Sequence, residues 1–342
     1  MSMIGFLCLA LPLFARPVAA KAPAQRPELP APVFRTETAL ALVRFHVVRK
    51  HSYVDDLKPK DVILLEDGSP REFSVFEGGR LASRTIPIEI VLLFDTSGSV
   101  TGTGLLDPLA YQAALLDNLE NVRLSVYAFN STLTRHCGPT RDPAELAAAL
   151  RRVRDSPSGA AGPQVKIIPL QLPPGRKGAP ATWLFEAIMA AAKDSAAEPG
   201  QATRMLVVFS DGFPTTNTRP EEAVAVLSAL GIPVYPVVLG HADLAARRAG
   251  QQLGWPQMAE MFMADFASLA ELTGGRSFDP PVIDVAVVRE ILAAMAGQVL
   301  CEYVVGFQPG ESSAAPRPHR LQVKLRSKDL GTVRGGFRTV TH

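Results

Sequence analysis

The stretch "IEIVLLFDTSGSV", residues 88–100, decides the fold. It opens with a nearly continuous apolar run, which is typical of a parallel β-strand buried on both faces. Asp95, Ser97 and Ser99 follow at alternate positions and carry oxygen atoms, the ligands that a small hard cation such as Mg²⁺ prefers. A strand-to-helix turn aims alternate side chains inward, so the stretch predicts a central strand with a metal site at its carboxyl end.

The glycines of the same region fit a second pattern. Residues 97–104, "SGSVTGTG", resemble the T-G-x-x-x-G-x-G loop of short-chain dehydrogenases, which holds a dinucleotide pyrophosphate at a helix N-terminus. Those enzymes also need a Tyr-x-x-x-Lys pair, and none of the five tyrosines has a lysine four positions later. An NAD(P)-dependent enzyme is therefore a remote alternative, since a glycine fingerprint alone is weak.

Composition excludes several other classes of function. The 342 residues include 35 basic and 33 acidic side chains, for a net charge of +2, and no basic run is interleaved with aromatic residues. This balance argues against a nucleic-acid partner. The sequence has neither a G-x-S-x-G elbow nor an H-E-x-x-H motif, and its six histidines are scattered. We therefore expect no enzymatic activity.

The amino-terminal sequence predicts export. Residues 1–20 have the apolar core and the small residues of a signal peptide, although basic side chains are absent before the core. Residues 21–34 form a proline-rich spacer. No later stretch is apolar for about 18 residues, so we expect a periplasmic or extracellular protein that contacts a membrane only peripherally, if at all. In an oxidising compartment Cys137 and Cys301 could pair, or both could be buried thiols.

The remaining chain divides into three segments. Residues 35–80 and 301–342 contain short strand patterns, and residues 86–300 alternate strands with helices. The alternation predicts an α/β fold with a doubly wound, mostly parallel sheet. The terminal segments need a partner surface to bury one face, so we expect them to pair with each other as a small β-sandwich.

Two more strand ends carry oxygen ligands. Thr182 leads into the helix "WLFEAI", and Asp211 follows the apolar strand in "MLVVFSDG". Ligands on doubly wound sheets bind where the carboxyl ends of the strands open into loops. The sequence therefore predicts one Mg²⁺ or Mn²⁺ site. Its ligands would be Asp95, Ser97, Ser99, Thr182 and Asp211.

The segments "IEIVLLFDTSGSV", "ATWLFEAI" and "MLVVFSDG" together resemble a von Willebrand factor type A (VWA) domain with its metal-ion-dependent adhesion site (MIDAS). The flanking segments, such as "LKPKDVILLEDGSPREFSVFE" and "YVVGFQP", resemble the exported bacterial VWFA-related proteins. The resemblance implies that the five residues above match the five MIDAS positions in order. It also implies an adhesion module that binds a protein partner, in which an acidic side chain of the partner completes the coordination sphere.

Two alternatives share this fold. The metal site could be vestigial or structural, and the β module could be the part that binds, with the VWA domain as its scaffold.

Overall fold

The computed structural model describes residues 40–50, 52–79, 87–96, 105–155, 165–172, 182–200, 202–240, 255–308 and 317–341. The predicted signal peptide and spacer lie outside these ranges, as do Ser97 and Ser99. The first strands are β1 (Ala41–Arg49), β2 (Ser52–Tyr53), β3 (Val62–Glu66), β4 (Ser69–Arg71), β5 (Val75–Gly78), β6 (Ile88–Asp95), β7 (Val122–Phe129) and β8 (Leu133–Thr140). They are followed by β9 (Lys166–Ile168), β10 (Thr203–Ser210), β11 (Val234–Val238), β12 (Tyr303–Phe307), β13 (Pro318–Leu325), β14 (Thr332–Gly335) and β15 (Phe337–Thr341).

Six helices accompany the strands in the described part of the chain. They are α1 (Pro108–Tyr111), which continues as a π-helical turn over Gln112–Leu116, α2 (Pro143–Asp155), α3 (Leu184–Ala196), α4 (Pro220–Leu230), α5 (Trp255–Thr273) and α6 (Val285–Leu300). Local signals account for their ends. Asp284 accepts a hydrogen bond from the Val287 amide at 2.8 Å and so caps the start of α6. Gly231 ends α4 with φ of 67°, a left-handed conformation that glycine adopts without a Cβ clash.

The central sheet has six strands in the order β11-β10-β6-β7-β8-β9. Strands β11, β10, β6 and β7 run parallel, whereas β8 is antiparallel to β7 and β9 is antiparallel to β8. The α/β class is thus confirmed, whereas the doubly wound, mostly parallel sheet is not confirmed. Two antiparallel strands extend one edge, and both other sheets are antiparallel throughout their described pairs.

Apolar side chains cover both faces of the central sheet. Ile90, Leu92 and Phe94 of β6 pack in one cluster with residues of α1, α2 and α6. Val91 and Leu93 pack on the opposite face with residues of α3, α4 and α5. Every residue of β6 is buried, which explains why its sequence is a nearly continuous apolar run rather than an alternation.

The terminal strands pair with each other. The amino-terminal strand β1 lies between β12 and β14 from the other end of the chain, with Ala41 opposite Phe307 and Phe45 opposite Gly335. A second sheet, in the order β15-β13-β3-β4, also mixes strands from both ends. One apolar cluster contains Phe45, Leu64 and Val323 from the two sheets, so they form the expected small sandwich.

Two further findings bear on the sequence predictions. Cys137 and Cys301 are both buried thiols, so the structure corresponds to the second of the two alternatives for them. In the described residues, no helix combines the length and the apolar character needed to span a bilayer.

Candidate metal site at the carboxyl edge of the central sheet

Asp95 is the last residue of β6 and is only 2% exposed. The parallel register places Phe94 beside Phe209, so the next residues along the two strands are Asp95 and Ser210. The Ser210 hydroxyl donates a hydrogen bond to Oδ2 of Asp95 at 2.7 Å, and it accepts one from the Gly212 amide at 3.1 Å. The Asp95 carboxylate is therefore fixed against the end of β10.

Asp211 follows β10 directly, and its side chain accepts a hydrogen bond from the backbone two residues later, as in an Asx turn. Its Oδ1 accepts a hydrogen bond from the Phe213 amide at 3.1 Å. Gly212 has φ of +80°, and a Cβ there would lie 3.3 Å from Met263 and from Phe266 of α5, so this position favours glycine. A "DG" pair at a strand end thus turns the chain while the aspartate side chain stays at the carboxyl edge.

Thr182 precedes α3 and is 4% exposed. Its main-chain N–H donates to Oγ1 of Thr215 at 3.0 Å, and its carbonyl accepts from the Thr215 amide at 2.8 Å and from Oγ1 at 2.9 Å. The next amide, that of Trp183, donates to the carbonyl of Asn130 at 2.9 Å, just beyond the end of β7. The backbone that carries the Thr182 hydroxyl is therefore held between the loop after Asp211 and the end of β7.

Glu186 strengthens this connection from the first turn of α3. It is 3% exposed and accepts hydrogen bonds from the hydroxyls of Thr216, at 3.2 Å, and Thr218. The loop after Asp211 is thus attached to α3 through Thr216 and Thr218, and to Thr182, just before α3, through Thr215. Motion of this loop relative to Thr182 would break several hydrogen bonds at once.

The structure brings three of the five predicted ligands, Asp95, Thr182 and Asp211, to one edge of the sheet. Ser97 and Ser99 lie outside the described residues. Within the described ranges, there is no group of three or more His, Cys, Asp or Glu side chains that could hold a metal ion. The predicted set holds two carboxylates and takes its other ligands from hydroxyl groups. The role of the five residues as metal ligands stays a prediction.

Sequence reasoning missed the residues that hold the predicted ligands in place, namely Ser210, Thr215 and Glu186. Ser210 is adjacent to Asp211 in "VVFSDG", but only the β6–β10 register shows that its hydroxyl contacts Asp95. Thr216 and Thr218 lie about thirty residues after Glu186 in the sequence, so no local sequence pattern could predict these contacts.

No family model matches the chain, and no curated protein matches it. Solved structures do. The chain is similar to BatB from Bacteroides thetaiotaomicron, with 17% identity over 61% of this chain and 98% of that one, at a TM-score of 0.39. It is similar to an aerotolerance-related membrane protein from Bacteroides fragilis, with 18% identity over 62% of this chain and 99% of that one, at a TM-score of 0.40.

A third similar structure is proximal thread matrix protein 1 from the mussel byssus, with a zinc-occupied MIDAS motif. It is 13% identical over 65% of this chain and 47% of that one, at a TM-score of 0.37. All three TM-scores are below 0.5. The sequence motifs predict a likeness to a VWA domain. The solved structures that are similar to this chain include a protein with a MIDAS motif, at low sequence identity.

Proposed function

We propose that this chain is an exported, non-enzymatic binding protein that holds a divalent cation, Mg²⁺ or Mn²⁺, at the carboxyl edge of its central sheet. One observation carries the proposal. The buried Asp95 carboxylate accepts a hydrogen bond from Ser210, and Asp211 follows Ser210 directly, so two carboxylates from neighbouring strands lie at one edge.

The donor set fits a hard cation. Carboxylate and hydroxyl oxygens suit Mg²⁺ and Mn²⁺, whereas softer metals favour imidazole and thiolate ligands. Asp95, Asp211 and Thr182 would hold the ion together with Ser97 and Ser99. A bound cation would supply an electrophilic centre for an anionic ligand. The two carboxylates formally balance the 2+ charge, and the hydroxyl ligands are neutral, so the set carries no excess negative charge that would repel an anionic ligand.

The partner class follows from this chemistry. An exposed aspartate or glutamate on a protein ligand would complete the coordination sphere, so binding would be metal-dependent adhesion rather than catalysis. The signal-like residues 1–20 support a periplasmic or extracellular location.

The decisive experiment is a metal-dependent pull-down with the full chain. Wild type and Asp211→Ala are each compared with Asp117→Asn, a change in an exposed carboxylate outside the predicted ligand set. We expect wild type and Asp117→Asn to retain partners in Mg²⁺ and to lose them in EDTA, and we expect Asp211→Ala to retain none.

Two outcomes contradict the proposal. Partner binding that persists in EDTA, or that is unchanged in Asp95→Ala, overturns metal-dependent adhesion. The same results support the alternative in which the VWA domain is a scaffold and the β-sandwich binds.

A further inference from the structure

The sandwich packs on the central α/β layer along a seam of close contacts. In this seam an N–H group of Arg44 on β1 donates to the Arg204 carbonyl near the start of β10. Gly335 of β14 lies so near Gly274, just after α5, that a Cβ on Gly274 would clash with the Gly335 backbone. The candidate metal site lies at the other end of β10, so the seam is a separate feature of the molecule.

His46 lies in this seam. Its neighbours on β1, Phe45 and Val47, belong to the apolar cluster inside the sandwich. Because successive side chains of a strand point to opposite faces, His46 points away from that cluster and towards the central layer. It is 3% exposed and lines a small cavity together with Leu272 and Thr273 of α5. The imidazole is therefore buried between the two layers.

The charged groups around this imidazole are mainly cationic. In the register of β1 with β14, His46 stands opposite Arg334. Arg44, two positions away on β1, pairs with Glu302, the one carboxylate among the described residues that line the cavity. Arg334 pairs at 3.6 Å with Glu271, which lies at the surface. Both carboxylates of this region are thus already engaged with an arginine.

Two further neighbours complete the surroundings of the imidazole. The ring of Tyr53 on β2 stands edge-on to that of His46, with 5.2 Å between the centroids, and the positive charge of Arg276 acts on the Tyr53 hydroxyl. The carboxyl end of α5 carries a diffuse negative charge that offsets part of the arginine charge. In that end, however, the Leu269 carbonyl already accepts a hydrogen bond from the Thr273 hydroxyl. A proton on His46 would add a further positive charge to a buried site where cations predominate.

From this arrangement we infer that protonation of His46 opens the seam, so that the sandwich separates from the central layer in acid while both parts stay folded. Each part has its own apolar core, since the cluster of the sandwich and the two clusters of the central sheet share no residue. The chain crosses between the parts twice, from β5 to β6 and from α6 to β12. Parts with separate cores and few connections can open locally without global unfolding.

The direction of the pH dependence follows from linkage. In the closed seam, burial and the charges of Arg334 and Arg44 lower the pKa of His46 to about 4. In the open seam water reaches the ring, so its pKa returns towards the ordinary value of about 6.5. The open form therefore binds the proton more tightly, and its population grows as the pH falls from about 6.5 towards 4. The ratio of open to closed molecules should be about thirtyfold higher at pH 5.0 than at pH 7.5.

Two native thiols can report the opening. Cys301 is 6% exposed, precedes β12 and lies near Tyr53 at the seam, whereas Cys137 is buried in β8 of the central sheet. The full chain is treated with dithiodipyridine, a reagent that also modifies thiols in acid, at pH 7.5 and at pH 5.0 in buffer that contains EDTA. Mass spectrometry of the peptides gives the labelling rate of each cysteine. The rate for N-acetylcysteine corrects for the effect of pH on the reaction.

We expect the corrected labelling rate of Cys301 to rise about thirtyfold between pH 7.5 and pH 5.0, and that of Cys137 to stay unchanged. The rise should be lost in His46→Phe and in His46→Gln. It should persist in His319→Gln, which changes the other described histidine of the sandwich, hydrogen-bonded to Asp67 at 2.9 Å.

Four results overturn the inference. They are a corrected Cys301 rate that does not rise in acid, a rise that persists in either folded His46 variant, a rise that is lost in His319→Gln, and labelling of Cys137 in parallel with Cys301. The last result would show that the whole molecule unfolds rather than the seam alone. Because EDTA is present throughout, the result does not depend on the proposed cation site.

Discussion

The hydroxyl of Ser210 donates a 2.7 Å hydrogen bond to Oδ2 of Asp95 and thereby joins the carboxyl ends of two neighbouring parallel strands. The same oxygen accepts from the Gly212 amide, so one side chain positions both the buried aspartate and the turn that carries Asp211. This relationship makes Ser210 the residue on which the geometry of the candidate site depends most directly.

Ser210→Ala should destabilise the fold. The change leaves the Gly212 N–H and one Asp95 oxygen buried without this partner, which costs about 1–3 kcal/mol. Urea unfolding measures the loss. Ser268→Ala is the matched control, because Ser268 only bonds back to the carbonyl of Asp265 within α5 and its removal should change stability little. Equal losses in the two variants would contradict the role given to Ser210.

Mg²⁺ should stabilise the wild-type protein against thermal unfolding. A ligand that binds only the folded state at about 100 times its dissociation constant adds about 2.7 kcal/mol to the free energy of unfolding. Differential scanning calorimetry with and without EDTA detects this effect. It should disappear in Asp211→Asn and persist in Asp117→Asn, and an undiminished response in Asp211→Asn would remove that residue from the site.

Glu186→Ala should weaken metal binding although Glu186 is not a proposed ligand. It releases Thr216 and Thr218, so the loop that follows Asp211 loses its attachment to α3. Residues that support metal ligands typically change affinity by about tenfold to a hundredfold. Calorimetric titration with Mn²⁺ measures the affinity of each variant for the metal. Glu186→Gln should recover part of the lost affinity. Glu290→Ala, on the exposed face of α6, should leave the affinity unchanged. Unchanged affinity in folded Glu186→Ala would show that the loop is fixed by other contacts.

Stability should fall as the pH drops from about 6.5 towards 4, in part because of His46. Burial, followed by the charges of Arg334 and Arg44, lowers its pKa from 6.5 to about 4. Below pH 6.5 the unfolded chain therefore binds a proton that the folded chain does not, and stability is lost by up to about 2–3 kcal/mol.

The variant His46→Phe isolates this effect. It keeps an aromatic ring against Tyr53, whose ring centroid is 5.2 Å from that of His46, but it takes up no proton. Unfolding free energies measured across this pH range should decline less steeply in the variant. Parallel curves for the two proteins would show that His46 does not contribute.

Cys137 should resist thiol reagents in the folded protein. Its side chain is fully buried, and burial raises its pKa to about 12, so the reactive thiolate is scarce at neutral pH. Iodoacetamide labelling followed by peptide mass spectrometry should find Cys137 modified only after denaturant is added. Rapid labelling in native buffer would indicate that the β7–β8 edge of the sheet opens readily.

Much of the central fold could be predicted because its four parallel strands, β6, β7, β10 and β11, consist mostly of apolar residues. The mostly apolar segment "VRLSVYAF", residues 122–129, forms β7, and Gly231 ends α4 in the left-handed conformation that is typical of glycine at a helix end. Strand β8 was missed because "LTRHCGPT" contains polar residues, a glycine and a proline, which are typical of loops. It pairs with β7 through a shifted register, and its buried Thr134 and His136 give it no alternating pattern.

The candidate site was predictable only as a set of ligand types at strand ends. Asp95, Thr182 and Asp211 could be placed at one edge because parallel strands open their carboxyl ends together. The supporting contacts of Ser210, Thr215 and Glu186 depend on register and loop path, which tertiary packing determines.

The pairing of β1 with β12 and β14 has a consequence for the order of folding. Arg44 and its partner Glu302 are 258 positions apart, and the central α/β layer lies between them in the sequence. Contacts of such high sequence separation form slowly, because the chain loses the entropy of closing a long loop before the contacts stabilise it. During synthesis from the amino terminus, β1 therefore has only the two-residue strand β2 to pair with, among the described strands, until nearly the whole chain has emerged. The sandwich should be the last part of the molecule to form.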